Sequence, residues 1–383
     1  MSVKHKIRNN IYSIRTRIHE KLLLVLNYIA AVALLLSNIA GTVSPDQFWF
    51  LAFFGLAHIP LLLINILFIF FWIFLLRKWV IGSLLVVLVS WGHIGTHFRF
   101  RNAEIAVQSA DTLKIMSFNV RLFDLYQWKN NQKYKTRSRI FRMIKEQNPD
   151  LLCFQEYYSN PAKGFDVKDT MNHLENLKYS FVASFKSLEG LKEWGMAIYS
   201  RYPMFNMQRV FFTNSINSYF QYADICKQGD TIRIFNIHFE SIHFKQEDYL
   251  FINDIGNQYS DRKNLFDKGQ RILYKIGSAF SRRAEQVETV RRYVASSPYP
   301  VILCGDFNDT PASYVYNRLT TELKDSFCEC GSGLSGTYPN LFFPMRIDYI
   351  LHSTNSFRAF RYNVINEDLS DHFPITTTLV RNH

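Results

Sequence analysis

The sequence predicts an α/β fold of two packed β-sheets covered by helices, preceded by about three transmembrane helices. Three observations predict it. Apolar residues concentrate in the first 97 positions. Later segments divide between runs that alternate apolar and polar and runs that are wholly apolar, as strands do when one face or both are buried. A few further stretches carry apolar residues at helical spacing. In 383 residues there is room for a membrane segment and one large soluble domain, since single domains often run past ~200 residues, and a second soluble domain is not expected.

The membrane segment is assigned to residues 1–97. Lys4, Lys6, Arg8, Arg15, Arg17 and Lys21 precede apolar stretches at 22–43, 48–76 and 79–97. Each stretch approaches or exceeds the ~20 residues that cross a hydrocarbon core. The middle one holds Pro60, which predicts a tilt or kink rather than two spans each too short to cross. The loop at 44–47 has no basic residue, whereas the next loop has Arg77 and Lys78. By the positive-inside bias the N-terminus and second loop are cytoplasmic, so the remaining domain lies on the extracytoplasmic side of an inner or plasma membrane. Arg99 and Arg101 oppose this but are outnumbered by the eight Lys/Arg of 1–97, which face only Glu20 and Asp46 and supply half of the net +12. A cleaved signal peptide is the rival for the first stretch, and the length of its basic start argues against it. His58, Asn65 and His93 fall inside spans, where interhelical hydrogen bonds account for them more simply than function does.

Residues 98–110 read as a polar linker, and the domain is assigned to 111–383. Strands are predicted at 113–119, 151–155, 179–183, 196–200, 209–212, 231–239, 300–304, 347–351 and 375–380. Ile140 and Ile144 share one face of a helix at 137–147 that stops before Asn148-Pro149, and Ala284, Val287, Val290 and Val294 mark another at 282–296. Of five cysteines, Cys153 and Cys304 lie in apolar runs and read as core residues. Cys226, Cys328 and Cys330 have no zinc spacing, and the sequence does not pair them.

Polar residues gather at strand ends in five short motifs, Ser117-Phe118-Asn119-Val120, Phe154-Gln155-Glu156, Asn236-Ile237-His238-Phe239, Gly305-Asp306-Phe307-Asn308 and Ser370-Asp371-His372. A sixth, Arg346-Ile347-Asp348-Tyr349-Ile350, puts a carboxylate inside an apolar strand. Singly, each reads as turn chemistry. In sequence and order they resemble the endonuclease/exonuclease/phosphatase superfamily, which includes DNase I-like nucleases, neutral sphingomyelinases and inositol polyphosphate 5-phosphatases. The resemblance covers about residues 111–379 and implies a four-layer α/β/β/α sandwich with its site where the loops of two sheets meet.

Hydrolysis of a phosphate ester needs the non-bridging oxygens neutralised, an in-line water and help for the leaving oxygen. Hard oxygen ligands suit Mg²⁺, or Mn²⁺ in its place, and Glu156 is the leading ligand candidate. Asn119 and Asp371 match further metal positions of the family. A neutral His372 can act as general base if its second ring nitrogen is held. Asp348 matches the family's orienting carboxylate, against a rival salt bridge with Arg346. Asp306 and Asn308 share a face if the strand continues, and the family gives them proton handling and phosphate donation. Asn236 and His238 share a face likewise, and His238 matches a phosphate-contacting histidine.

Two features depart from the family. Arg121 stands where some nuclease branches carry Asp, which weakens a second-metal arrangement. An insertion at 243–281 mixes basic and aromatic residues, among them Lys245, Tyr249, Phe251, Tyr259, Arg262, Lys263, Phe266, Lys268, Arg271, Tyr274 and Lys275. It reads as a solvated helical cap ahead of a nucleic-acid grip or a lipid contact. The expectation is a membrane-anchored, Mg²⁺-dependent phosphodiesterase acting on nucleic acid or phospholipid, with the bilayer as its partner and no protein partner identifiable. The rival is an inactive scaffold that keeps the fold.

Overall fold

The computed structural model describes residues 3–100, 111–126, 135–172, 174, 176–186, 192–213, 217–242, 248, 262–339 and 343–382. Most of the expected linker, and residues 243–261 of the insertion apart from Asp248, therefore lie outside the described residues. The chain forms two compact units, Met1–Ile94 with Ala312–Tyr314, and Gly95–Pro311 with Val315–His383.

The first unit holds α1 (Val3–Ala40), α2 (Pro45–Leu56), α3 (His58–Phe74) and α4 (Val80–Val89), with α5 (Trp91–His97) running past its end. One helix, His19–Ala40, is long and apolar enough to cross a membrane. The pairs α2–α3 and α4–α5 are bent by 52° and 58°. Pro60 accounts for the first bend, because it cannot bond the Leu56 carbonyl four residues back and its ring crowds it. Polar side chains in these helices pair with one another. Asn27 Nδ2 donates to Ser83 Oγ at 2.7 Å, Trp72 Nε1 donates to Asn27 Oδ1 at 2.8 Å, and Asn65 Nδ2 donates to Ala30 O at 3.0 Å. His58 Nδ1 lies 2.9 Å from Ser37 Oγ, and its ring packs on His93.

The second unit contains two six-stranded mixed sheets. Its strands are β1 (Thr112–Asn119), β2 (Leu151–Ser159), β3 (Tyr179–Lys186), β4 (Glu193–Ser200), β5 (Met204–Phe211), β6 (Tyr219–Lys227), β7 (Asp230–His238), β8 (Val301–Asp306), β9 (Leu323–Asp325), β10 (Asp348–Ser353), β11 (Phe357–Val364) and β12 (Ile375–Arg381). One sheet runs β11-β12-β1-β2-β4-β3 and the other β5-β6-β7-β8-β10-β9. The pairs β1–β2 and β7–β8 are parallel. Side-chain alternation builds the layers. Leu113, Ile115, Leu151 and Cys153 face Ile232, Ile234, Ile302 and Ile350 between the sheets. Met116, Phe118, Leu152 and Phe154 point outward onto α6 (Lys135–Gln147) and α7 (Val167–Asn172). On the other outer face Tyr293 of α8 (Arg262–Ala295) packs on Phe220.

Three strands, β6, β9 and β11, escape the sequence pattern. β6 interrupts its apolar run with Asp224, which the fold buries by a two-pronged ion pair with Arg233, at 2.6 and 2.8 Å. β11 carries a register shift between Ala359 and Arg361 that breaks its alternation. The second predicted helix begins earlier than 282, at Arg262.

Candidate active site at the seam of the two sheets

Continuing the inward-facing rows past the apolar core brings polar residues onto the same face. In β1 the row runs Leu113, Ile115, Ser117, Asn119; in β7 it runs Ile232, Ile234, Asn236, His238; in β8 it runs Ile302, Cys304, Asp306. Register aligns their ends: Asn119 pairs with Gln155, His238 with Asp306, and Asp306 with Asp348. Asn119 Nδ2 crosses between the sheets to Asp306 Oδ2 at 3.0 Å.

Backbone distortions then aim the functional groups. At Glu156 the β2–β4 register shifts and the backbone turns left-handed, φ +51°, a bulge that redirects a side chain at the cost of strain. Its carboxylate is 36% exposed and its Oε1 lies 3.4 Å from Asn119 Nδ2. The expected strand continuation through Asn308 does not occur. β8 ends at Asp306 and Asn308 takes φ +52°, because Asp306 Oδ1 accepts the Asn308 N–H at 2.7 Å and folds the chain into a tight turn. Asn308 Nδ2 donates to Phe239 O at 2.9 Å. Gly305 has φ +147°, and a Cβ there would sit 1.9 Å from Ile237 O, so the approach of β8 to β7 requires glycine.

His372, just ahead of β12, is the buried hub. Its Nδ1 meets Asp348 Oδ2 at 2.9 Å and its Nε2 faces Asp306 Oδ2 at 3.7 Å. Arg346 pairs with Asp325 at 2.7 Å, so Asp348 is left to the histidine. Thr337 Oγ1 accepts from the N–H groups of Ile347 and Asp348 and fixes the start of β10. The ring of Tyr338 lies edge-on, 5.1 Å from that of His372. Thr337 and Tyr338 come from Gly336-Thr337-Tyr338-Pro339, a turn-like run without a distinguishing pattern. Burial opposes a charge on His372, but the carboxylates of Asp348 and Asp306 outweigh it and push the imidazole up to about 10. Burial likewise raises the Asp306 carboxyl, against the pull of His372.

The remaining candidates sit around this hub. His238 Nε2 is buried without a hydrogen bond, 3.5 Å from Asp306 Oδ2 and 3.9 Å from Glu156 Oε1. Asp371 pairs through Oδ2 with Arg121 Nε at 3.2 Å. Arg121 opens a run to Asp124 in which all four residues have positive φ, a left-handed turn costly for side-chain-bearing residues. Phe123 anchors that turn among Phe141, Phe154, Tyr157 and Phe165. Asn236 is the exception. It is fully buried, donates to Phe154 O and Ala197 O at 2.9 and 3.1 Å, and accepts from Gln155 Nε2 at 2.7 Å. With both ends of its amide engaged, it ties the two sheets together two residues before His238.

Residues 116–372 match the model of the Endonuclease/Exonuclease/phosphatase family. The chain belongs to this family. It is accordingly a phosphoester hydrolase. Residues 20–97 match a family described as a domain of unknown function, and no curated protein matches the chain. A solved endonuclease/exonuclease/phosphatase family protein from Bacteroides thetaiotaomicron is 20% identical over 71% of this chain and 98% of its own, with a TM-score of 0.50. The human Nocturnin catalytic domain with bound sulfate is 15% identical over 72% of this chain and 97% of its own, also at 0.50. Both show the same fold of two mixed sheets flanked by helices.

The family generally depends on divalent metal, and the site residues fit one. Asp306, Asp348 and His372 place ligand-type atoms within 4.8 Å of one another. The Asp348–His372 hydrogen bond accounts for part of that closeness, so the open carboxylate of Glu156 is the better holder, beside Asp306 and the unbonded His238 Nε2. Asn119 turns its nitrogen toward the carboxylates while its oxygen accepts from Arg121 N at 3.1 Å. Ligation through that oxygen requires the amide to rotate.

Proposed function

We propose that the chain is a membrane-anchored, Mg²⁺-dependent phosphodiesterase with its catalytic unit on the extracytoplasmic side. The observation that carries this is the buried Asp348–His372–Asp306 line, linked through Asn119 to the half-exposed carboxylate of Glu156. Diesters are preferred to monoesters because Glu156, Asp306, Asp348 and Asp371 repel a dianion more than a monoanion.

In this reading Glu156, with Asn119 and Asp371 nearby, would hold the cation, which when bound would supply positive charge to neutralise phosphoryl oxygens. His372, held in one tautomer by Asp348, is placed to take the proton of the attacking water at Nε2 when its ring is neutral. Asp306 orients the same water and shares its proton. Asn308 and His238 reach the phosphoryl oxygens, and Asn236 keeps the two halves in register.

The test uses the full chain in detergent with plasmid DNA, RNA, sphingomyelin, phosphatidylinositol, an aryl phosphodiester and an aryl phosphomonoester, with Mg²⁺ or a chelator. Diester turnover that needs Mg²⁺ is expected. Glu156→Gln should raise the Mg²⁺ requirement and recover partly at saturating metal. Equal turnover in chelator, or preference for the monoester, would defeat the proposal.

A further inference from the structure

The proposed chemistry leaves unused an aromatic group on strands next to those that carry the candidate site. β3 and β4 contribute Phe185 and Trp194, and β5 and β6 contribute Phe211 and Tyr219, so both sheets supply it. Phe185 stacks on Trp194 with centroids 6.5 Å apart and planes at 30°, and it meets Tyr219 edge-on at 5.5 Å. The Arg209 guanidinium lies over Phe211 at 4.8 Å, Phe185 at 5.4 Å and Tyr219 at 5.5 Å, and donates to Ser184 O at 2.9 Å. Arg209 is exposed, and Trp194 and Phe211 are each 43% exposed.

Its place relative to the chemistry follows from register. Trp194 pairs with Tyr158, two residues beyond Glu156, and Tyr219 donates to Ala183 O and accepts the Met196 N–H at 3.0 Å. Arg209 pairs with Gln221, which pairs with Asn236 in the His238 row. Two strand spacings, about 10 Å, therefore separate the guanidinium's strand from that row.

We propose that this arginine-capped aromatic shelf stacks a base of the substrate, so that the phosphodiester cleaved is a nucleotide-bearing one. The proposal rests on the phosphodiesterase reading and narrows its substrate class. Single-stranded bases are held by stacking on aromatic rings and on guanidinium planes. A guanidinium held by a carbonyl and three rings is a planar partner for a base, and its charge favours the neighbouring phosphate. An acyl chain gains nothing from a cation at the centre of its contact. Phospholipid therefore fits this surface less well than a nucleotide does.

The experiment uses the full chain in detergent and compares an adenine dinucleotide with the same diester carrying abasic sugars. Wild type should favour the base-bearing diester through KM. Arg209→Lys, Trp194→Phe and Phe211→Leu test the shelf, with unchanged thermal melting as the check on folding. The preference should fall in Phe211→Leu and in Arg209→Lys, which keeps the charge and loses the plane, by roughly tenfold for the loss of one stacking partner. A second arm needs no turnover: adenosine monophosphate, added in chelator, should quench a tryptophan signal that Trp194→Phe lacks. Quenching without hydrolysis of either diester would sink the phosphodiesterase reading and leave the shelf standing. Hydrolysis of both diesters with equal KM and no quenching would sink the shelf alone. Loss of binding to phosphatidylglycerol vesicles in the shelf variants, with the base preference intact, would make this a membrane contact and overturn the proposal.

Discussion

His372 touches one carboxylate through each ring nitrogen, so removing either the ring or its Asp348 partner disables the same unit. His372→Ala and Asp348→Asn should each lower kcat by about 10²–10⁴, and the double variant should lose little more. Additive losses in steady-state kinetics would show that the two act separately. In Asp348→Asn the imidazole titration, followed by NMR in chelator, should move down from its value of about 10 because the first of its supporting charges is gone. The sequence marked Asp348 as odd, since an unpaired carboxylate in an apolar strand is costly. It favours His372 as the partner over the neighbouring Arg346. β10 begins only at Asp348, and Arg346, lying before it, goes to Asp325. The half-buried carboxylate of Glu329 has a purely structural task. Burial disfavours the charge of Glu329, but His352, Lys324 and the Ala359 N–H outweigh it and bring the carboxyl down to about 2. A depressed carboxyl stabilises the fold above its ordinary pKa and stops doing so as pH falls through the folded value. Glu329→Gln should cost about 2 kcal/mol at pH 7. The gap in melting temperature from wild type should close between the ordinary 4.5 and about 2, and a gap constant over that range would refute the assignment.

Elements deliver these residues through irregularities that composition does not reveal. The motifs show which residues stand at strand ends, and the period-two rows show which share a face. The bulge at Glu156 was not legible, because glutamate rarely takes a positive φ, whereas Asn308 carries a turn signal that the strand spacing obscured. Gly305 carries such a signal, although its cause, the Ile237 carbonyl, lies on another strand. Gly305→Ala should therefore cost about 2–4 kcal/mol, from overpacking plus the backbone term, and take activity with it by displacing Asp306. Chemical denaturation checks this, and wild-type stability would show that β8 can move off β7 freely. Strand β6 stayed hidden for a related reason. Its buried Asp224 reads as a turn residue until Arg233 is seen beside it.

For the whole molecule, the two units were legible as two solvents, one run of apolar helices and one domain of alternating strands. The number of crossings was less legible, because Pro60 and the α4–α5 break produce bent pairs rather than straight spans. Charge asymmetry predicts that a reporter active only outside the cytoplasm works when fused after residue 383, and activity from a cytoplasm-only reporter would reverse the orientation. The sheet order has a consequence for timing. β1 lies between β2 and β12, and Asp371 and His372 stand just before β12. During synthesis β1 waits with one edge open while some two hundred and fifty residues are added, an exposed template for wrong pairing. The strand that closes this edge follows directly on His372, so the proposed base reaches its carboxylate partners only when β12 docks, and a ribosome stalled before Ile375 would hold a chain that cannot yet cut.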